Sequence, residues 1–444
     1  MSFPQIKLNK NSPTPLYRQL YEAIKDLKLP PGTKLPSIRQ LASSLSVNTT
    51  TVVSAYKELE IDQVAYSVMG SGTFIAPTLP ATKQVSNEIP VREEGYINFA
   101  ESTTDKSLFP VMAFRRAFEA VLERDGGSAF GYDDARGFKP LRESFAKIVG
   151  EEADNIHVIS DTYQCIEAIA NDLLSPGDTV LIENYTSQPA IGAFLSKRAQ
   201  VVEMPIIKDG IDFETIKKYR PKLIYVMPNF QTPTGITYSE ESKTKLLTFA
   251  QKTGAYIIEE DQYSDLYYDG TKRTPIKAQD NDGRVIYIKS FSKTVMPGIG
   301  FVSFPKEQSE IFARMESSVS GYIQRGFDLF LRSGAYELHL ANMRTVYGRR
   351  YQKLESAAKS YLAHLTDFEL PGGGFSMWIS PHKKNEAEDF VQGFLQKGVI
   401  VSPGRLYTAR GGDTPSFRLS FASIPEEKIA EGIGIIASVL SGSE

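Results

Sequence analysis

Seven short apolar runs, HVIS, TVLIE, VVEMPI, LIYVMP, AYIIEE, RVIYIKSF and GFVSFP, recur between residues 157 and 305 with helical patterns between them. Runs of this length that are apolar at nearly every position suit strands buried on both faces. Alternating them with helices calls for a mostly parallel α/β sheet, doubly wound, with helices on both sides. No other feature of the chain narrows the fold so far. In such sheets ligands collect at the carboxyl ends of the strands. Asn229, Glu260, Asp261 and Lys293 stand at or just past the ends of these runs, which makes them candidates for a site. Residues 308–365 then read as helical, and GGGFSMWIS, GVIVSPG and SFRLSFA read as a smaller C-terminal α+β lobe.

Residues 14–76 follow a different pattern. PLYRQLYEAIKDL places Leu16, Leu20, Ala23, Ile24 and Leu27 at helical spacing, and LPPG ends it. Ser37 can cap a second helix, with Gln40 completing a capping box. Asn48 can cap a third, NTTTVVSAYKELEI, whose Val52, Tyr56 and Leu59 form one stripe. That leaves Thr49, Thr50, Ser54 and Lys57 on the open face, and AYSVMGSGTFIAP follows as two strands with a glycine tip. Helix, turn, helix and wing is the order of a winged helix-turn-helix. A capped helix N-terminus offers N–H groups to phosphate while the open face suits a major groove. Gly70 and Gly72 would let the wing backbone approach a duplex closely. A small helical domain that binds protein is the competing reading of the same pattern. Residues 77–95, with three prolines and no periodic apolar face, read as a linker.

Charge agrees with a polyanion partner without requiring one. Residues 1–76 hold eight basic against five acidic side chains, and the remainder 42 against 48. The single cysteine, Cys165, excludes an internal disulfide, and four scattered histidines give no zinc spacing, so no metal is expected. MSFPQIKLNKN lacks the apolar core of a signal peptide, and no stretch of about 18 apolar residues exists. A cytoplasmic, nucleoid-associated protein with no membrane partner is the expectation.

PLYRQLYEAI, LPPGTKLPSIRQLASSLSVNTTTVVSAYKELE and GSGTFI together resemble the N-terminal domain of the GntR family of bacterial transcription regulators. The resemblance implies a double-stranded DNA operator as partner. Ser37, Arg39, Thr49, Thr50, Thr51, Gly70 and Gly72 would be its contacts. Thr49 stands where the family usually opens its recognition helix with arginine, which removes a charged contact.

FGYDDARGFKPLR, ENYTSQPA, NFQTPTG, EEDQY, SFSK with its following PG, GGGFSMW and FRLSFA, in this order, resemble fold-type I aminotransferases. A GntR head fused to that fold is the layout of the MocR subfamily. The resemblance implies a winged helix-turn-helix over 1–76, a linker over 77–95 and a pyridoxal phosphate-dependent transferase fold over 96–444. It implies pyridoxal 5'-phosphate as cofactor, with Lys293 as the lysine that condenses with its aldehyde. Tyr263 would bond the ring oxygen, and Glu260, with Asp261 beside it, would face the pyridine nitrogen. Ser290, Ser292 and Thr162 would give the cofactor hydroxyl contacts, and Arg418 would take the carboxylate of a substrate or effector. A homodimer is implied too, with the head of one subunit exchanged head-to-tail onto the other. The chemistry is consistent: such a lysine must be neutral part of the time, an acid must hold the ring nitrogen protonated, and arginine suits a carboxylate.

Four positions depart from that family. Glu260 replaces aspartate, Gly300 stands at the phosphate arginine, and Asp161 replaces a phosphate-loop glycine. Ser187 stands at the ring-stacking tyrosine, with Tyr185 two residues earlier. A carboxylate about 4 Å from a phosphate charge repels it by roughly 4 kcal/mol at an effective dielectric of 20. Asp161 equally suits a helix N-cap turned away from a pocket. Three functions stay open on this basis. One is a regulator that senses pyridoxal phosphate or an amino-compound effector. Another is a working aminotransferase with an accessory head, and the third a cofactor-free regulator on a degenerate scaffold.

Overall fold

Three helices, α1 (Leu16–Asp26), α2 (Ile38–Leu45) and α3 (Thr49–Ile61), and a hairpin of β1 (Ala65–Val68) with β2 (Gly72–Ile75) make the N-terminal unit. The computed structural model describes residues 6–30, 33–62, 64–68, 72–75, 95–131, 133–305, 317–383, 387–409 and 414–442. The chain divides into two compact units, Met1–Asn87 and Glu88–Glu444. That division falls within the stretch read as a linker, which apart from Gly95 lies outside the described residues.

Local chemistry sets the helix starts in the head. Ser37 Oγ accepts the Gln40 amide at 3.3 Å while the Gln40 side chain accepts the Ser37 amide at 3.1 Å. This reciprocal box is worth about 1 kcal/mol. Ser46, at φ 50°, ends α2 in the left-handed region, and Asn48 Oδ1 accepts the Thr50 amide to begin α3. Val52, Ala55, Tyr56 and Leu59 then pack on Leu20, Tyr21 and Ile24 of α1. Tyr21, rather than the expected Leu27, completes the buried face of α1.

The larger unit is built on a seven-stranded sheet. In chain order its first ten strands are β3 (Ile97–Asn98), β4 (Ile156–Ile159), β5 (Thr179–Glu183), β6 (Gln200–Met204), β7 (Ile206–Ile207), β8 (Gly210–Ile211), β9 (Leu223–Val226), β10 (Tyr256–Asp261), β11 (Val285–Ser290) and β12 (Gly300–Ser303). The sheet order is β4-β12-β11-β10-β9-β5-β6, with β12 antiparallel to both its neighbours and the rest parallel. β9, β11 and β12 are buried at every position, as continuous apolar runs require of central strands, and so is β4 at the edge of the sheet. The stretch read as helical carries helices Gly321–Arg332 and Ala335–Tyr361.

A four-stranded sheet forms the C-terminal lobe, ordered β13 (Thr366–Phe368), β14 (Ser376–Pro381), β17 (Phe417–Ser420), β16 (Ser402–Pro403). β15 (Val399–Ile400) pairs in parallel with β3, so the first strand of the unit is fastened to its last lobe. Among the described residues no helix is long and apolar enough to cross a membrane.

Candidate cofactor and effector site

The sheet order brings distant residues to one edge. Asp161 follows β4, Gly300 opens the antiparallel β12, Lys293 follows β11, Glu260 lies at the end of β10, and Tyr185 follows β5. All five positions lie at the carboxyl edge of the parallel strands, where α/β sheets bind ligands.

Glu260 is the buried acid of this edge, 2% exposed, and it accepts hydrogen bonds from Tyr225 Oη and Gln262 Nε2. Burial pushes its carboxyl above the usual range. The two hydrogen bonds and the charge of Lys293 act against that rise, and the charge of Asp161 adds to it. Tyr163 enters the same cluster. Its hydroxyl bonds with Ser187 and Gln262, and burial, helped by the charge of Glu260, pushes its ionisation well up. Tyr263 is 3% exposed, edge-on to Phe375 at 5.4 Å.

Asp261 does not join Glu260. Successive strand residues point to opposite faces, and Asp261 meets Tyr287 Oη at 2.6 Å and Lys289 Nζ at 3.2 Å. Burial pushes its carboxyl up, but Lys289 and the Ser264 and Tyr287 hydroxyls outweigh that and hold it low. The expectation that both neighbouring acids face a cofactor is therefore corrected: Asp261 belongs to an ion cluster with Lys289 on the opposite face.

Two cationic side chains reach one short segment from opposite lobes. Lys293 Nζ donates to the Ser102 carbonyl at 2.9 Å. Arg418, buried on β17, donates through Nη2 to the Ala100 carbonyl, and its guanidinium lies 5.6 Å from the Tyr407 ring centroid. Arg418 Nε is buried without a hydrogen-bond partner among the described residues. Tyr185, Trp378 and Tyr407 continue as a chain of rings, with centroids 4.6 Å and 6.0 Å apart.

The opposite end of the site is built differently. Asp161 caps the helix Thr162–Leu173, its Oδ1 accepting the amides of Tyr163 at 2.8 Å and Gln164 at 2.9 Å. Thr162, the first helical residue, is buried. Ser290 and Ser292 pair with each other, hydroxyl to hydroxyl at 2.9 Å. Gly300 pairs with Ser290 across the sheet, and a Cβ there would stand 2.5 Å from the Lys289 carbonyl oxygen. The β11–β12 register is thus fitted to glycine, and no guanidinium reaches the site from position 300.

In the head, Ser37, Arg39, Thr49 and Thr50 are exposed and Thr51 is half-buried. Gly72 adopts φ +115°, where a Cβ would stand 3.0 Å from Lys34 Cε. Gly70 lies outside the described residues.

Sequence reasoning missed Tyr163, Tyr225, Gln262 and Ser102. Tyr225 and Gln262 had a usable signal, since residues 260 and 262 share a strand face by period two and Tyr225 lies on the adjacent strand. Ser102 lies about 190 residues from Lys293 and had none.

The pattern of the family "Aminotransferase class I and II" matches residues 95–436, and that of "Bacterial regulatory proteins, gntR family" matches residues 14–75. The HTH-type transcriptional regulator YdfD of Bacillus subtilis is 29% identical over 98% of this chain and 97% of its own. The probable rhizopine catabolism regulatory protein MocR of Rhizobium meliloti is 25% identical over 98% and 96%. The structure of the α-aminoadipate aminotransferase LysN of Thermus thermophilus, complexed with N-(5'-phosphopyridoxyl)-L-leucine, superposes with a TM-score of 0.72. It is 26% identical and covers 79% of this chain and 93% of that one.

Proposed function

This chain belongs to the aminotransferase class I and II family and carries a gntR-family head in the MocR arrangement, and we propose from that premise that it is a DNA-binding transcription regulator whose large domain senses pyridoxal phosphate or an amino compound. The observation that carries the reading is the gathering of Lys293 and Arg418 on one segment, with Glu260 buried and under the charge of Lys293.

Pyridoxal phosphate is the cofactor expected of the family. The residues present fit its ring end: Glu260 is a buried acid that lies under the charge of the Lys293 amine. At the phosphate end the fit is poorer, because Asp161 occupies two helix amides and residue 300 offers no cation. When bound, the group supplies an aldehyde and an electron-withdrawing ring. Lys293 would hold it through its amine, and Glu260 would accept from the ring nitrogen. Tyr263, Ser290, Ser292 and Thr162 would supply the remaining polar contacts. Tyr225 and Gln262 fix the direction of the Glu260 carboxyl, whose raised affinity for a proton keeps that proton at the site. Arg418 would take an effector carboxylate, and Tyr185, Trp378 and Tyr407 would keep water from it.

In the head, α3 would lie in the major groove, with Thr49, Thr50 and Thr51 toward the bases and Ser37, Arg39, Gly70 and Gly72 toward the backbone. The aminotransferase-like fold supports self-association. A homodimer with exchanged heads would read paired half-sites on an operator in the cytoplasm, at the nucleoid. Occupancy changes DNA affinity only if the ligand prefers one arrangement of heads.

The test is an absorption spectrum of the full-length protein with added pyridoxal phosphate. A visible band that borohydride bleaches, and that Lys293→Ala abolishes, is expected. No band in excess cofactor would instead support a cofactor-free scaffold, the second reading, which Asp161 and Gly300 favour. Steady turnover of an amino donor and a keto acid would make the protein an aminotransferase.

A further inference from the structure

Arg418 belongs to a row of side chains that turns away from the core of the C-terminal lobe. Trp378 on β14 and Ser402 on β16 are its direct partners on the two strands that flank β17. Directly opposed residues share a sheet face. Met377, Ile379, Phe417 and Leu419, which alternate with them, fill the core from the other face.

Two further rings close on this row. The Tyr407 hydroxyl pairs with Ser402 Oγ at 2.8 Å, and its ring centroid lies 5.6 Å from the Arg418 guanidinium and 6.0 Å from the Trp378 ring. The Thr186 amide donates to the Tyr407 carbonyl at 2.7 Å, and the preceding Tyr185 sets its ring 4.6 Å from that of Trp378. Rings that only filled a core would be buried, as Phe375 and Phe417 are. Tyr185, Trp378 and Tyr407 are instead half-buried around an arginine that is 6% exposed. Arg418 gives one N–H to the Ala100 carbonyl, and its Nε has no hydrogen-bond partner among the described residues.

A carboxylate held by this guanidinium has its organic part within reach of the open ring faces. Aromatic pairs at centroid distances of about 4.5–7 Å gain more than the area they bury, which an aliphatic chain cannot. Arg418 is the only charged group in the contacts just described, so a second carboxylate on the ligand finds no ionic partner in them. We propose that Arg418 and the rings of Tyr185, Trp378 and Tyr407 form a subsite for a monocarboxylate that carries an aromatic ring, so that the effector is an aryl-bearing acid rather than an aliphatic or a doubly acidic one. This rests on the reading of Arg418 as the anchor of an effector carboxylate and names the side chain that the anchor selects.

Trp378 is the only tryptophan of the chain, so its fluorescence reports on the subsite with no cofactor present. The full-length protein is titrated with 3-phenylpropanoate, propanoate and glutarate, none of which has an amine that could react with an aldehyde. 3-Phenylpropanoate is expected to change the emission saturably and to bind at least about tenfold more tightly than the other two. Tyr185→Leu and Tyr407→Leu should each weaken 3-phenylpropanoate about tenfold and propanoate less than about threefold. Equal binding of the three acids by the wild-type protein would overturn the subsite, and so would an unchanged preference in both ring variants. The absorption band with pyridoxal phosphate, measured separately, keeps the two readings apart. A band without aryl preference sinks the subsite and leaves the sensor. Aryl preference without a band upholds the subsite and removes only pyridoxal phosphate from the reading. Failure of all three acids to bind sinks the subsite together with Arg418 as a carboxylate anchor.

Discussion

Asp161 Oδ1 accepts the backbone amide of Tyr163 at 2.8 Å, so a carboxylate sits where the helix Thr162–Leu173 would otherwise present that N–H to an anion. The same carboxylate accepts from Gln164, and its charge adds to the raised affinity of Glu260 for a proton. One side chain therefore both satisfies the helix end and puts a negative charge in front of it.

These two effects separate in Asp161→Asn. Asparagine caps as well as aspartate, so stability should change by less than about 0.5 kcal/mol. The negative charge is gone, and pyridoxal phosphate should bind about tenfold more tightly, or more, as judged by titration of the absorption band. Unchanged affinity would mean that Asp161 lies too far from the phosphate to matter. A lowered Glu260 proton affinity should accompany the gain and would shift the pH dependence of the band downward.

Arg418→Lys keeps the positive charge but loses the planar fork that grips a carboxylate. The absorption band with pyridoxal phosphate alone should persist, while amino acids should perturb it only at concentrations about tenfold to hundredfold higher. Equal sensitivity of variant and wild type to amino acids would remove Arg418 from effector binding.

The large sheet was legible because β4, β9, β11 and β12 are buried at every position, and such burial writes itself as an uninterrupted apolar run. The helix caps at Ser37, Asn48 and Asp161 were legible because a cap is a local bargain between a side chain and amides two or three residues on. Glu260 and Asp261 show the limit. Motif order named both acids, whereas the pleat separates them, giving one to Tyr225 and the other to Lys289. The contacts of Ser102 with Lys293 and of Ala100 with Arg418 were not legible at all. The acceptors there are main-chain carbonyls, which carry no residue signature, and the contacts span 191 and 318 residues. Tyr163 was missed because its part depends on hydrogen bonds to Ser187 and Gln262, both distant in the chain.

Arg39 is exposed beside the capped start of α2, with Ser37 and Gln40 locked together next to it. If its guanidinium contacts phosphate, Arg39→Ala should weaken binding to DNA selected by the wild-type protein from a random pool. The slope of log affinity against log salt should then fall by about one. Lost affinity at constant slope, with base discrimination relaxed, would make Arg39 a base reader. Folding of the head should be untouched, since the side chain is not part of its core.

His157 gives the pH dependence of stability a sign that can be worked out. It lies on β4 opposite Val302, fully buried. Burial, reinforced by the charges of Arg142 and Arg136 and opposed by Asp134, lowers its pKa to about 4. In the unfolded chain the imidazole titrates near the usual value of about 6.5. Between those two values the unfolded state binds more protons than the folded one, so stability rises with pH through this window and is lost as pH falls. The loss attributable to this residue is about 3 kcal/mol from pH 7 down to pH 4. His157→Leu removes the titration, and its urea midpoint should change less than that of wild type over the same range. Parallel pH profiles for the two proteins would mean that the buried imidazole takes up its proton as readily folded as unfolded.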